Sequence, residues 1–172
     1  MSQSNAEGAR TRQTAPVYLI FEGELMLEAP VQDAWPHVMN YPSWQNYSNV
    51  QHVSGEAGKE DEVVLLRKSE EGFEFPPYYA ITIKLEPERR VIWKIYPEKG
   101  TQEIDFFGIV RFTVHPAGQK TRFCYDTLYE FQVPYQERSE LVAFRTAQQD
   151  NFAALFAAVL PKLQQLVMKQ AS

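Results

Sequence analysis

The chain has 172 residues, 44% of them hydrophobic and 13% aromatic, with one cysteine and a formal net charge of -5. That length and apolar content suit a single domain with a sizeable core, and the acidic balance, with no Lys/Arg cluster to offset it, argues against a nucleic-acid partner. The lone Cys124 excludes an internal disulfide framework and favours a reducing compartment.

Residues 1–15 are polar, small and aperiodic, and are expected to form a disordered leader before a domain spanning 16–172. No apolar run precedes Val17, so neither a secretory signal nor an anchor is expected there. No uninterrupted apolar stretch approaches the roughly 20 residues of a bilayer span, so stable membrane insertion is not expected either. Together these features lead to the expectation of a cytoplasmic protein.

From Val17 the pattern alternates. Val17, Leu19, Phe21, Gly23, Leu25 and Leu27 share one face and Glu22, Glu24 and Glu28 the other, which predicts a long strand with one wet side. Ala29-Pro30 ends it, and Pro30 can open a helix because a missing N–H costs nothing in the first turn. A short helix through Val31, Ala34, Trp35 and Val38 is predicted, then a break at Tyr41-Pro42 and a second short turn, capped by Ser43, carrying Trp44 and Tyr47.

An antiparallel meander follows. Strands are predicted at Val50–Ser54 and Glu62–Lys68 around a Gly55–Gly58 turn. After a connection through Phe73, Phe75 and Tyr78, a strand is predicted with Tyr79, Ile81, Ile83 and Leu85 on its apolar face. Val91, Trp93 and Ile95 continue that face, followed by Ile104, Phe106, Gly108, Val110, Phe112 and Val114. The last strand sets Phe123, Tyr125, Thr127, Tyr129, Phe131 and Val133 opposite Arg122, Asp126 and Glu130. From Glu137 to Gln170 the spacing turns helical, with Leu141, Arg145, Gln148, Phe152, Leu155, Phe156, Val159, Leu163 and Leu166 on one stripe. A kink or break is expected just before Pro161.

This order predicts an α+β domain in which seven antiparallel strands curl around one long helix. A single helix cannot fill such a hollow, so an aromatic-lined cavity is expected. Its candidate lining is Tyr79, Trp93, Phe106, Phe112, Tyr125, Tyr129, Phe152 and Phe156, with Arg145 and Gln148 as polar anchors inside the apolar stripe.

The run Leu25-Met-Leu-Glu-Ala-Pro30, then Val31 to Trp35, then Tyr41-Pro-Ser-Trp44, resembles the START/Bet v 1-like (SRPBCC) superfamily of polyketide cyclases and lipid-transfer proteins. The His115–Thr121 turn and the C-terminal helix are similar to the same pattern. The resemblance spans residues 17–170 and implies the helix-grip fold with an internal cavity for an apolar small molecule, no cofactor being implied. Its members include carriers, enzymes and chaperone activators, so fold alone does not fix function.

Each feature also has a plainer reading. Aromatics at alternating strand positions pack cores, and Arg145 can run past the sheet into solvent. A buried guanidinium would need a carboxylate, carbonyl or anionic ligand group beside it. Tyr125 and Tyr129 can make ordinary structural hydrogen bonds or act as acids in a cyclase-like reaction, with Arg145 stabilising an enolate. His37, His52 and His115 sit on separate elements, so no metal site is expected. Phe73, Phe75 and Tyr78 offer a surface for a protein partner, as in the chaperone activators. Nucleophile elbow, phosphate-loop, HExxH and dinucleotide fingerprints are all absent from the sequence.

Overall fold

A computed structural model describes residues 12–45, 47–69, 77–100 and 104–170. The elements run β1 (Gln13–Leu27), α1 (Val31–Met39), α2 (Tyr41–Trp44), β2 (Tyr47–Ser54), β3 (Val63–Ser69), β4 (Tyr78–Glu86), β5 (Arg90–Pro97), β6 (Asp105–Ala117), β7 (Lys120–Tyr135) and α3 (Arg138–Gln170). The strands form one seven-stranded sheet in the order β1-β7-β6-β5-β4-β3-β2. Every pairing is antiparallel, and β1 lies along β7 from Gln13↔Tyr135 to Leu27↔Thr121. This is the α+β helix-grip arrangement, with the two short helices after the first strand. β1 takes in Gln13, Thr14 and Ala15, which by sequence belong to the expected leader, and residues 1–11 lie outside the described ones.

The concave side of the sheet holds the core. Leu19, Leu27, Val91, Phe112, Val114 and Phe123 meet Val38 of α1, Trp44 of α2 and Phe152, Val159, Leu163 and Val167 of α3. The buried Thr121 hydroxyl donates to the Ala29 carbonyl at 2.8 Å and ties the start of β7 beneath the turn into α1. Burying an unpaired hydroxyl would be unfavourable, so this bond fixes where the chain leaves the sheet.

In β4 and α3 the covered face departs from the sequence reading. In β4, Tyr78, Ala80 and Thr82 face inward, not Tyr79, Ile81 and Ile83. A bulge between Thr82 and Lys84 then shifts the phase, so that Leu85 again packs against the core. The convex face tolerates apolar groups here: Tyr79 stacks on Tyr96 at 5.3 Å. Ile20, Leu128 and Ile109 likewise stand in one row across β1, β7 and β6 on that face.

In α3 the fully covered stripe is Phe152, Phe156, Val159, Leu163 and Val167. From Arg138 to Asn151 no side chain is buried, and Leu141, Phe144 and Gln148 are half-buried. Its outer side carries Ala143, Ala147, Ala153, Ala154 and Ala157, so amphipathicity is confined to the second half. Pro161 lies on the exposed side and the helix continues through it without a break. By length and composition alone α3 could cross a membrane, but its second half is instead seated on the sheet and on α1.

Candidate functional site

Between the curled sheet, α2 and the middle of α3 lies a hollow of about 30 Å3. α2 is only Tyr41–Trp44, too short to hold itself as a helix, and Pro42 near its start restricts the backbone. Its position comes from Trp44, which is fully buried and donates Nε1–H to the His37 carbonyl at 3.1 Å. Ser43 does not cap the turn; its hydroxyl bonds back to the Asn40 carbonyl.

So fixed, α2 lays Tyr41 against Trp93, with ring centres 4.6 Å apart, and edge-on to Phe112 at 6.4 Å. Its Oη is buried and has no hydrogen-bond partner among the described residues. Burial, with smaller contributions from Tyr47 and Glu62, pushes its pKa well above the ordinary phenol value.

Tyr47 is the first residue of β2 rather than part of a second short helix. The Tyr78 hydroxyl donates to Tyr47 Oη at 2.7 Å. Tyr47 is pushed up to about 12 by burial, partly offset by that bond, and Tyr78 is raised well above the ordinary phenol value by burial and by its neighbouring phenols. Tyr129 is raised by burial as well.

These four phenols, the Gln45 amide and the Thr127 hydroxyl are the polar part of the wall. Thr127 donates to the Phe21 carbonyl at 3.4 Å. Among the described lining residues there is no Asp, Glu, Lys, Arg or His.

The helix wall rests on ring contacts. Phe152 stacks on Tyr129 at 4.6 Å and meets Phe21 at 4.7 Å, and Phe156 stacks on Tyr125 at 4.3 Å with 16° between planes. Tyr125 can lie there because Gly23 has no side chain: a Cβ at that position would stand 2.4 Å from Tyr125 Oη.

Trp93, Phe112, Tyr129, Phe152 and Phe156, all expected at the cavity, line it. The other five candidates do not. Tyr79 is on the convex face because of the β4 phase. Phe106 is buried away from the hollow, 5.8 Å from Phe131. Tyr125 stands behind Phe156, its pKa raised by partial burial. Arg145 is exposed on the unburied front of α3, in a groove with Tyr18 and Ile20 of β1, and Gln148 is half-buried outside the lining. Tyr125, Tyr129 and Arg145 therefore do not converge as an acid and an enolate anchor.

The expected lining lacks Ile95, Val110, Thr127 and Leu155 and, more consequentially, Tyr41, Gln45, Tyr47 and Tyr78. Tyr41 stands in a Tyr-Pro-Ser break and Tyr78 in the minor phase of β4, so neither carried the periodic signal that marked the others. With its ring buried in this wall, Tyr78 does not present a partner surface, while Phe73 and Phe75 lie outside the described residues. Cys124 is half-buried opposite Glu24 on β1, with its pKa raised mainly by burial. No three His, Cys, Asp or Glu gather among the described residues.

No family model matches the sequence, and no curated protein matches it. Solved structures do. A point mutant of norcoclaurine synthase from Thalictrum flavum, in complex with a transition-state analogue, matches with a TM-score of 0.60 and 17% identity over 93% of this chain and 100% of that chain. The same synthase in complex with dopamine and hydroxybenzaldehyde matches at TM-score 0.56 and 14% identity, over 100% of this chain and 96% of that one. The Zhui aromatase/cyclase from Streptomyces sp. R1128 matches at TM-score 0.64 and 13% identity, over 91% and 97%. Identities this low establish a shared fold, the one that the sequence resemblance implied.

Proposed function

We propose that this chain, which has the helix-grip fold of the Bet v 1-like (SRPBCC) superfamily, binds an apolar, ring-bearing small molecule between the sheet and α3. The observation that carries this reading is the Tyr41 hydroxyl, buried on the wall of the hollow with no partner among the described residues. A buried polar group left unpaired costs roughly 1–3 kcal/mol, so it is tolerated most readily where a guest completes it. The neighbour that holds dopamine and hydroxybenzaldehyde makes a ring-shaped guest a reasonable model for this chain.

Volume decides how such a guest gets in. The hollow of about 30 Å3 has room for about two waters and is well below the roughly 150 Å3 that accepts a benzene ring. Binding therefore requires the wall to move. The α3 part of that wall is Phe152, Leu155 and Phe156, at the start of the covered half of the helix and next to a front whose side chains are at most half-buried, so this is where the wall would have to give. Binding is favoured over turnover because the described lining offers no carboxylate, imidazole or amine to take a proton at neutral pH.

The test is thermal stabilisation by naphthalene-sized ring compounds, for wild type and for Leu155→Trp, which fills the hollow from α3. Saturable stabilisation of the wild type, following the mass-action dependence on ligand concentration, and its loss in the variant are expected. No shift with any ring compound, or an equal shift in both proteins, refutes the reading.

A further inference from the structure

The composition of the wall says more about the guest than its size does, if the hollow is indeed the binding site. Tyr41 Oη has no partner, and Tyr47 Oη accepts the Tyr78 proton without a described acceptor for its own. Both rings line the same hollow and meet edge to face at 6.5 Å. Two phenolic protons are thus left to donate, and a carbonyl oxygen has two lone pairs to receive them.

Charge works in the other direction. No cation stands in the described lining to meet a carboxylate, and no carboxylate to meet an ammonium. A charged group entering this wall would exchange its hydration for neutral phenols and ring faces alone, with no opposite charge to offset the desolvation. The phenols cannot supply a counter-ion near neutral pH, since burial holds them protonated.

We propose that the hollow takes an uncharged ring compound that presents a carbonyl-type oxygen to the Tyr41 and Tyr47 hydroxyls, and rejects carboxylate and ammonium analogues of the same shape.

Four matched probes test this by calorimetric titration: 2-acetylnaphthalene, 2-ethylnaphthalene, 2-naphthoate and 2-naphthylmethylammonium. The ketone should bind about tenfold more tightly than the ethyl compound, the effect of two neutral hydrogen bonds. Both ions should bind more weakly than the ethyl compound. In the Tyr41→Phe, Tyr47→Phe double variant the ketone preference should vanish while ethylnaphthalene binding persists.

Equal affinity for ketone and ethyl compound in the wild type overturns the proposal, and so does naphthoate or the ammonium binding more tightly than the ketone. Because these comparisons use the wild type, they hold even if the double variant does not fold. Failure of all four probes, the ethyl compound included, removes the cavity-binding reading and this proposal with it.

Discussion

Tyr41→Phe should make the empty protein more stable. The substitution removes one oxygen and leaves the ring on Trp93 and Phe112 undisturbed. An unpaired buried hydroxyl costs roughly 1–3 kcal/mol. The hollow of about 30 Å3 can admit water to this group, which places the expected gain near the lower end, about 1 kcal/mol. For a chain of this size that corresponds to a melting temperature higher by about 2–4 °C. Tyr78→Phe is the internal control: it deletes the proton that Tyr47 accepts and should cost about 1 kcal/mol. Two chemically identical substitutions in one wall are therefore expected to move stability in opposite directions. Urea denaturation followed by circular dichroism measures both, with an unchanged m-value showing that the unfolding reaction is the same. If Tyr41→Phe instead lowers stability by about 1 kcal/mol or more, the hydroxyl has a partner in the folded protein. The reasoning for a guest at this position then fails.

Gly23→Ala should destabilise by about 1–3 kcal/mol, because its Cβ would lie 2.4 Å from Tyr125 Oη and dislodge a ring stacked on Phe156. A thermal melt unchanged from wild type would contradict this. Stability should also fall at alkaline pH. Tyr47 titrates at about 12 when folded and near 10 when unfolded, so the folded state holds the proton more tightly. Its contribution is complete below about pH 10 and is lost as the pH rises through 12, amounting to about 2–3 kcal/mol. Tyr41, Tyr78 and Tyr129 shift in the same direction. Phenolate absorbance should therefore rise together with loss of the circular dichroism signal, and ionisation of these tyrosines near pH 10 in a still-folded protein would refute the burial argument.

The strand and helix order was legible because each strand of the meander has one apolar phase and ends at a Gly or Pro turn. The face of β4 was not, since Tyr79, Ile81 and Ile83 outweigh Tyr78, Ala80 and Thr82 in hydrophobicity while the latter set faces the core. Alternation marks which residues share a side, not which side is inside, and a bulge exchanges the two within one strand. Arg145 was misplaced for a different reason. A 100° periodicity assigns a stripe along the whole of α3, but before Phe152 that stripe is only half covered, at Leu141, Phe144 and Gln148, and Arg145 stays exposed. The tyrosine cluster depends on α2 folding back on α1 through Trp44, a contact with no periodic trace in the sequence.

The proposed movement of the wall would carry a preference of its own. Lifting α3 separates Phe152 from Tyr129 and Phe156 from Tyr125, pairs at 4.6 and 4.3 Å, each worth about 0.5–1.5 kcal/mol beyond simple burial. A planar guest at the proposed site would restore face-to-face contact with Tyr129, the one of these two tyrosines that lines the hollow. On the proposed reading, a bulky, three-dimensional hydrocarbon of equal greasiness would leave that ring unmatched, so flatness would be a criterion of selection.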